Sequence, residues 1–178
     1  MAGSQAAIRH LIQLGHRKIG YIGGDIRYSS NYDRWQGYLA AIREAGLDEV
    51  KDYIKLGSVR NTWGAIASSE ILSLPNPPTA LFVASNAIIP GVMETLRQSS
   101  LHIPENISLM CFDDLDWFSY SDPPISAVAT SHEMLAESAV DLLRRRIEDP
   151  NSEDRTPAFL QLSFQLMIRR STAPPIRK

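Results

Sequence analysis

The chain has 178 residues, a formal net charge of -2 at pH 7 and 44% hydrophobic residues, a composition typical of a single globular domain. Its 18 Lys and Arg residues are balanced by 20 Asp and Glu, so the sequence lacks the general positive charge typical of nucleic-acid-binding proteins. One cysteine, Cys111, excludes a disulfide framework. The basic run from Arg144 to Arg146 is interpreted as a solvated helix face.

The N-terminus lacks the charged and apolar regions of a secretory signal, and Ser85, Asn86 and Pro90 interrupt the longest apolar stretch. These features predict a cytoplasmic protein with no membrane partner. The histidines have neither HExxH spacing nor a cysteine pairing suited to zinc, so we predict no metal. We also predict no cofactor, because the phosphate-binding GxGxxG and GxxxxGK[ST] motifs are missing.

Hydrophobic periodicity predicts helices that alternate with short apolar strands along the chain. In order, it predicts a helix over 6–14, a strand over 18–24, a helix over 31–45, a strand over 53–58 and a helix over 61–74. A strand over 79–84, a helix over 86–98, a strand over 107–112, an extended segment over 125–129, a helix over 132–148 and an edge strand over 158–169 follow. This pattern predicts the α/β class, with a Rossmann-like parallel sheet and helices on both faces.

Polar residues follow three of the predicted strands, where ligands bind in parallel α/β sheets. They are Gly24-Asp25, Ser85-Asn86 and Asp113-Asp114. The paired aspartates suit hydroxyl recognition, Mg²⁺ binding or phosphate acceptance, and equally the capping of a turn. Arg34, near the start of a predicted helix, suits either a cleft or an ordinary surface ion pair. No GxSxG elbow accompanies Ser85, so a hydrolase triad is not indicated.

Six segments in order resemble the lactose/galactose-repressor family of bacterial transcriptional regulators. They are LIQLGHRKI (11–19), RWQGY (34–38), PTALFVASN (78–86), IPENISLMCFDD (103–114), PPIS (123–126) and IRRST (168–172). No single motif is decisive, whereas the ordered set is specific. In this family a helix-turn-helix headpiece and a hinge precede a sensor with two Rossmann-like lobes, and the effector binds between the lobes.

The resemblance implies that residues 1–178 are a partial sensor domain, similar to a periplasmic binding protein, without a DNA-binding domain. It implies a C-terminal lobe over 8–129, a helix over 132–148 that belongs with the N-terminal lobe, and final strands over 158–170. The headpiece and most of the first lobe are absent, and the start at Met1 indicates a truncation or an internal start codon. The helix over 132–148 would then lack its usual partner and self-associate or be mobile, since it carries an apolar face: Met134, Leu135, Leu142, Leu143 and Ile147.

Arg34 and Asp113 match effector-contacting positions of the family. Ser85 and Asn86 stand where the family usually has Asn-Asp or Ser-Asp, so we include them in the effector site. An arginine supplies donors and a carboxylate supplies acceptors, which suits a sugar or polyol whose hydroxyls offer both.

The family often has a stacking aromatic ring near the position of Val59, and Trp117 or Tyr28 could serve in its place. Trp117 has three interpretations, namely a sugar platform, a dimer contact or a core residue, and we rank the dimer contact first. The resemblance predicts a homodimer interface made by Ile88, Ile89, Val92, Met93, Trp117 and Tyr120.

The leading hypothesis is the effector-binding and dimerisation region of a transcription regulator, in which a small sugar-like ligand shifts the DNA-binding state of the full-length protein. Operator DNA would be a partner only through the missing headpiece. The alternative is a standalone sugar-binding module or an α/β enzyme that uses Asp113 and Asp114. We predict no enzyme, since no nucleophile, base or metal constellation accompanies the carboxylates.

Overall fold

The computed structural model describes residues 1–148 and 162–176, and its centre is one six-stranded sheet. The strands are β1 Ile19–Gly24, β2 Ile54–Gly57, β3 Ala80–Val83, β4 Ser108–Phe112, β5 Ser126–Thr130 and β6 Phe164–Met167. Their order is β2-β1-β3-β4-β5-β6, with parallel pairing throughout except between β5 and the antiparallel β6. The predicted α/β class and parallel sheet are confirmed, and the expected edge strand is β6. Residues 158–161 of that prediction lie outside the described residues.

Helices cover both faces of the sheet, as the sequence predicts. The α-helices of the described residues are α1 Ala2–Gln13, α2 Ser29–Glu44, α3 Asn61–Leu72, α4 Ile89–Gln98 and α5 His132–Glu148, and the first four cover the sheet. Helices α1 and α2 pack on one face of the sheet, and α3 and α4 pack on the other. The central strands β1, β3 and β4 are buried along their whole length because each of their faces lies under a pair of helices.

The two cores differ in their side chains. Under α1 and α2, the ring of Tyr21 lies with its centroid 5.1 Å from that of Tyr38 and 6.0 Å from that of Phe82. Under α3 and α4, the core is mainly aliphatic, with Phe118 as its buried aromatic residue, and includes Leu81, which is fully buried. Neighbouring residues of β3 therefore contribute to opposite cores, as the pleat of a strand requires.

Two glycines show how local sequence shapes the helices. Gly15 has φ +101° and follows α1, and the N–H of His16 bonds to Leu11 O at 3.1 Å, which closes the helix in the expected left-handed turn. Gly91 lets α4 approach α3 closely, because a Cβ atom there would lie only 1.8 Å from Asn61 O. The approach of these two helices depends on the missing side chain.

The residues after β6 lie against the first residues of β4 and β5. Ser171 is fully buried, accepts a hydrogen bond from Ser126 N at 2.7 Å and donates to Leu109 O at 2.6 Å. His16, 1% exposed, lies 2.8 Å from Thr79 Oγ1 through Nδ1 and 2.9 Å from Ala173 O through Nε2. His16 therefore holds the C-terminal segment, a contact that the local sequence does not indicate.

Helix α5 stands apart from both cores, since none of its residues is buried. Its apolar side chains are exposed, including Leu135 (54%), Val140 (62%), Leu143 (60%) and Ile147 (68%). The apolar face without a partner, expected from the sequence, is therefore present among the described residues. Within those residues, no helix has the length and apolar character needed to span a membrane.

Candidate functional site

The candidate site lies where the connections of the sheet change direction. From β1 the chain passes to β2 on one side and then returns to β3 on the other, so β1 and β3 are neighbours with crossovers that leave in opposite directions. Such a switch point opens a crevice at the carboxyl ends of the strands. The ends of β1, β3 and β4 bring Gly24, Ser85 and Asp113 to this edge.

Arg34 of α2 reaches this edge and makes three different contacts. Its Nη1 donates to Ala84 O at 2.7 Å, its Nη2 lies 3.0 Å from Asp113 Oδ2, and its guanidinium carbon lies 4.0 Å from the centre of the Phe112 ring. A planar guanidinium is suited to this combination of hydrogen bonding, ion pairing and stacking. The side chains of Arg34 and Asp113 retain 20% and 17% exposure, so both are held in place and accessible.

Asp113 adopts a left-handed backbone conformation, with φ +70°, directly after β4. Aspartate is one of the few residues that tolerate this conformation, and the Asp113 N–H bond to Val128 O at 3.0 Å fixes the turn. Asp113 therefore combines a turn with a partly exposed carboxylate, so the capping and binding interpretations of the sequence are compatible.

Asp114 faces a different partner. Its two carboxylate oxygens accept hydrogen bonds from Arg169 Nη1 at 2.8 Å and Nη2 at 2.7 Å, and Nη1 also donates to Ile125 O at 2.6 Å. The hydrogen bonds with Asp114 raise the pKa of Arg169. This bidentate pair fastens the segment after β6 to the end of β4. Asp113 and Asp114 therefore bind separate arginines, an arrangement that does not support the enzyme alternative with its paired carboxylates.

Ser85 and Asn86 follow Ala84, the residue whose carbonyl binds Arg34, so all four predicted effector residues lie at the ends of β3 and β4 or against them. Ser85 is 7% exposed, and Asn86 begins a short 3₁₀ helix. The structure thus brings together Arg34, Asp113, Ser85 and Asn86, and their role as ligand contacts stays a prediction.

Val59 borders the end of β1, since a Cβ atom at Gly24 would lie 2.6 Å from Val59 Cγ2. Trp63, a residue with no predicted role, donates from Nε1 to Gly23 O at 3.1 Å. The sequence feature that could have indicated Trp63 is the position of a large aromatic residue in the first turn of α3. Tyr28 is 66% exposed and directly precedes α2, whereas Trp117 is 39% exposed and packs edge-on against Phe118 at 4.6 Å.

The residues predicted for subunit contact divide into two groups. Trp117 and Tyr120 are exposed, by 39% and 88%. In contrast, Ile88, Ile89 and Val92 are fully buried in the aliphatic core of the chain, and Met93 packs against the same core. A fully buried side chain cannot face a partner, so Ile88, Ile89 and Val92 are removed from the predicted contact. Trp117, Tyr120 and the partly exposed Met93 remain available for it.

The described residues, 1–148 and 162–176, contain no group of three or more His, Cys, Asp or Glu side chains that could hold a metal ion. Cys111 is fully buried beside the site, and burial raises the pKa of its thiol. The protonated thiol is a packing element of β4, as expected from its apolar surroundings in the sequence.

Comparison with known proteins agrees with this geometry. Residues 8–172 match the family model of the periplasmic binding protein-like domain. The chain is 34% identical to the ribose operon repressor of Haemophilus influenzae over 86% of the chain and 46% of the repressor. It is 32% identical to the transcriptional repressor CytR of Escherichia coli over 93% of the chain and 48% of the repressor.

Among solved structures, the crystal structure of a LacI transcriptional regulator from Bacillus cereus subsp. cytotoxis matches with a TM-score of 0.90 and 26% identity. The match covers 96% of this chain and 60% of that regulator. The chain belongs to the periplasmic binding protein-like domain family, in the form found in LacI-type transcriptional regulators. It spans about half the length of the repressors it matches.

Proposed function

We propose that this chain is the effector-binding part of a transcription regulator, and that the effector is a small polyhydroxylated molecule such as a sugar or polyol. The observation that carries the proposal is the partly exposed ion pair of Arg34 and Asp113, at 3.0 Å, in the crevice of the sheet. It presents hydrogen-bond donors and acceptors side by side, as the vicinal hydroxyls of a sugar require. Membership of a family of repressors supports a regulatory function over a catalytic one.

Each of the four residues has a distinct task in this proposal. Arg34 donates to hydroxyl or ring oxygens, and Asp113 accepts from hydroxyl groups. Ser85 and Asn86 complete the polar lining at the end of β3 without adding charge, so the recognised molecule is neutral. Tyr28 supplies a ring for stacking against the apolar face of the sugar. The two matched repressors carry different names, so these names do not choose one ligand for this chain.

The proposal extends to the regulator as a whole. The lobe described here covers one side of the ligand, a second lobe closes over the other, and closure changes the geometry of a homodimer that includes the Trp117 and Tyr120 surface. Operator DNA binds to a part of the regulator outside these 178 residues. The regulator acts in the cytoplasm, where bacterial operators are found.

The test uses a matched pair of neighbouring aspartates in the 178-residue chain. A panel of pentoses, hexoses, nucleosides and polyols is screened by thermal shift, and each ligand that stabilises the chain is measured by isothermal titration calorimetry. Asp113→Asn should weaken binding at least about tenfold, because an amide cannot replace a charged acceptor, and should lower the free energy of unfolding by only about 1 kcal/mol, because Arg34 loses a single charged contact.

Asp114→Asn is the control, since its carboxylate is bound to Arg169. It should lower the free energy of unfolding by about 2 kcal/mol, less than for a fully buried pair, and leave the ligand affinity within about twofold. Equal loss of binding in both variants, or turnover of a ligand that depends on Asp113, would contradict the proposal.

A further inference from the structure

Tyr21 of β1 has a buried hydroxyl without a hydrogen-bond partner. The side chain is fully buried, and no group of residues 1–148 and 162–176 forms a hydrogen bond with its Oη atom. By contrast, the hydroxyl of Tyr38, in the same core, donates to Ile19 O at 2.9 Å. An unpaired buried hydroxyl lowers the stability of a folded chain, so its presence calls for an explanation.

Packing alone does not require a tyrosine at this position. The ring of Phe82, in the neighbouring strand β3, lies 6.0 Å from the ring of Tyr21 between centroids and fills the same core without a polar atom. A phenylalanine in place of Tyr21 would keep the apolar contacts and avoid the unpaired group. The hydroxyl therefore adds nothing to the core of the free lobe.

The hydroxyl of Tyr21 lies beside the crevice at the carboxyl end of β1. A Cβ atom at Gly23 would come within 2.7 Å of the Tyr21 hydroxyl oxygen, so the ring extends along β1 toward the last residues of the strand. Burial raises the pKa of the Tyr21 hydroxyl, and the positive charge of Arg34 opposes this rise. The hydroxyl is therefore neutral, carries a proton that it can donate, and lies close enough to Arg34 to be affected by its charge.

Two other buried polar atoms in the described part of the chain lack a partner, namely Ser4 Oγ and Trp35 Nε1. Ser4 lies where α1 contacts α2, since a Cβ atom at Gly37 would come within 2.9 Å of Ser4 Cβ. Trp35 follows Arg34 directly in α2, so its side chain leaves the helix about 100° away from that of Arg34. Tyr21 is the residue of the three whose unpaired atom is directed toward the site.

We propose that Tyr21 is a further specificity residue of the effector site, and that its hydroxyl forms a hydrogen bond with an oxygen atom of the bound effector. This inference rests on the proposed function and narrows the class of effector. In the free lobe Arg34 is paired with Asp113, and Tyr21 is covered. An effector hydroxyl that donates to Asp113 takes the place of Arg34 Nη2, and the displaced guanidinium uncovers Tyr21.

The recognised molecule then needs two oxygen atoms, one at Asp113 and a second at Tyr21. A ligand without the second oxygen would leave the hydroxyl of Tyr21 unpaired in a closed site. A site built to hydrogen-bond a particular group rejects an analogue that lacks it more strongly than an apolar pocket rejects a missing methylene. Tyr21 therefore selects among sugars and polyols that Asp113 alone would accept.

The test compares Tyr21→Phe with Tyr38→Phe in the 178-residue chain, since each variant removes one hydroxyl from the same core. Without ligand, Tyr21→Phe should raise the melting temperature by about 2–4 °C, because an unpaired group is removed. Tyr38→Phe should lower it by about 2–4 °C, because the hydrogen bond to Ile19 O is lost.

The probe is the member of the panel of sugars, nucleosides and polyols that binds the native chain most tightly, and calorimetry measures its affinity. Tyr21→Phe should weaken this binding at least about tenfold, because the hydrogen bond to the effector is lost. Tyr38→Phe is the matched control and should leave the affinity within about twofold, since its hydroxyl is bonded to the backbone of β1.

Deoxy analogues of the same ligand identify the oxygen that Tyr21 contacts. The native chain should bind one analogue at least about tenfold more weakly than the parent ligand, and Tyr21→Phe should reduce this difference to about twofold or less. If Tyr21→Phe binds the parent ligand as tightly as the native chain does, while Asp113→Asn weakens binding, the effector site stands and the inference about Tyr21 is wrong. A melting temperature of Tyr21→Phe below that of the native chain would show that the hydroxyl is already bonded without ligand, which also contradicts the inference. If the native chain binds no member of the panel, the proposed function fails, and this inference fails with it.

Discussion

At the residue scale, Arg34 joins three parts of the site through one planar group. It contacts the carbonyl of Ala84, the carboxylate of Asp113 and the ring of Phe112, so its position depends on β3 and β4 together. A lysine ammonium is a compact point charge, which cannot bond to two partners in a fork and stack on a ring at the same time.

Arg34→Lys should therefore weaken binding of the ligand found in the screen at least about tenfold, with a loss of only about 1 kcal/mol in the free energy of unfolding. Calorimetry measures the first quantity and urea denaturation the second. Arg27→Lys is the control: this arginine, whose side chain is 86% exposed, pairs with Asp25 at the end of β1. A comparable loss of affinity in Arg27→Lys would show that general charge, rather than the fork of Arg34, controls binding.

His16 makes the stability of the lobe dependent on pH. Desolvation lowers the pKa of His16 below its ordinary value of 6.5, against the opposing effect of its hydrogen bond to Ala173 O, and burial also lowers the pKa of His10. The unfolded chain then takes up protons before the folded one, so the free energy of unfolding should fall as the pH drops below 6.5. The slope contributed by His16 cannot exceed about 1.4 kcal/mol per pH unit.

Urea denaturation between neutral and mildly acidic pH measures this slope. His16→Gln should be less stable than the native chain at neutral pH, because the buried contacts with Thr79 and Ala173 are weakened, and should lose part of the slope. The control variant His102→Gln alters an exposed imidazole and should keep the full pH slope of the native chain. An unchanged slope in His16→Gln would exclude His16 as its source.

At the element scale, the crossing of α3 and α4 depends on glycines. A Cβ atom at Gly91 would meet Asn61 O at 1.8 Å, and one at Gly64 would meet Ile88 O at 2.2 Å. Because Asn61 O and Ile88 O are backbone atoms, a helix would have to shift to relieve either steric clash.

Gly91→Ala should lower the free energy of unfolding by more than about 2 kcal/mol, although alanine has the higher helix propensity. Ser69→Ala, at an exposed position of α3, should be neutral or slightly stabilising. Urea denaturation compares the two variants. A stabilised Gly91→Ala variant would show that the helices can separate at little cost.

The sequence was most informative where local pattern decides the structure. Apolar runs predicted β1, β3 and β4, and Gly15 predicted the end of α1, because burial on both faces and a left-handed cap act on consecutive residues. The bidentate ion pair of Asp114 and Arg169 was not predicted, since the two residues are 55 positions apart in the sequence and each has the appearance of an ordinary surface charge. The antiparallel direction of β6 was not predicted either, because side-chain alternation does not depend on the direction of a strand.

For the candidate site, the residues alone left Arg34 and the two aspartates open, and the resemblance to a regulator family selected Arg34 and Asp113. The structure brings these two into contact, whereas Asp114 pairs with Arg169. The predicted subunit residues were less accurate, because an apolar helix face has the same pattern under a sheet as at an interface. Ile88, Ile89 and Val92 are core residues for that reason.

At the scale of the whole molecule, both faces of the sheet are covered, so one lobe holds a complete pair of cores. The segment after β6 completes this lobe through Ser171 and Ala173, which bind β4, β5 and the turn after α1. The lobe is therefore assembled from sequence on both sides of α5, and α5 projects from it.

The contacts that residues 162–176 make with the rest of the sheet have a consequence for synthesis on the ribosome. Translation delivers residues 1–148 before residues 162–176, at about 5–20 residues per second. Until residues 162–176 are made, β5 has no β6 beside it, and the imidazole of His16 lacks the carbonyl of Ala173. An incomplete nascent chain therefore exposes an unpaired strand edge, which is open to wrong pairing. The order of synthesis makes this edge the last part of the sheet to be protected, and a ribosome that stalls within α5 would leave it open.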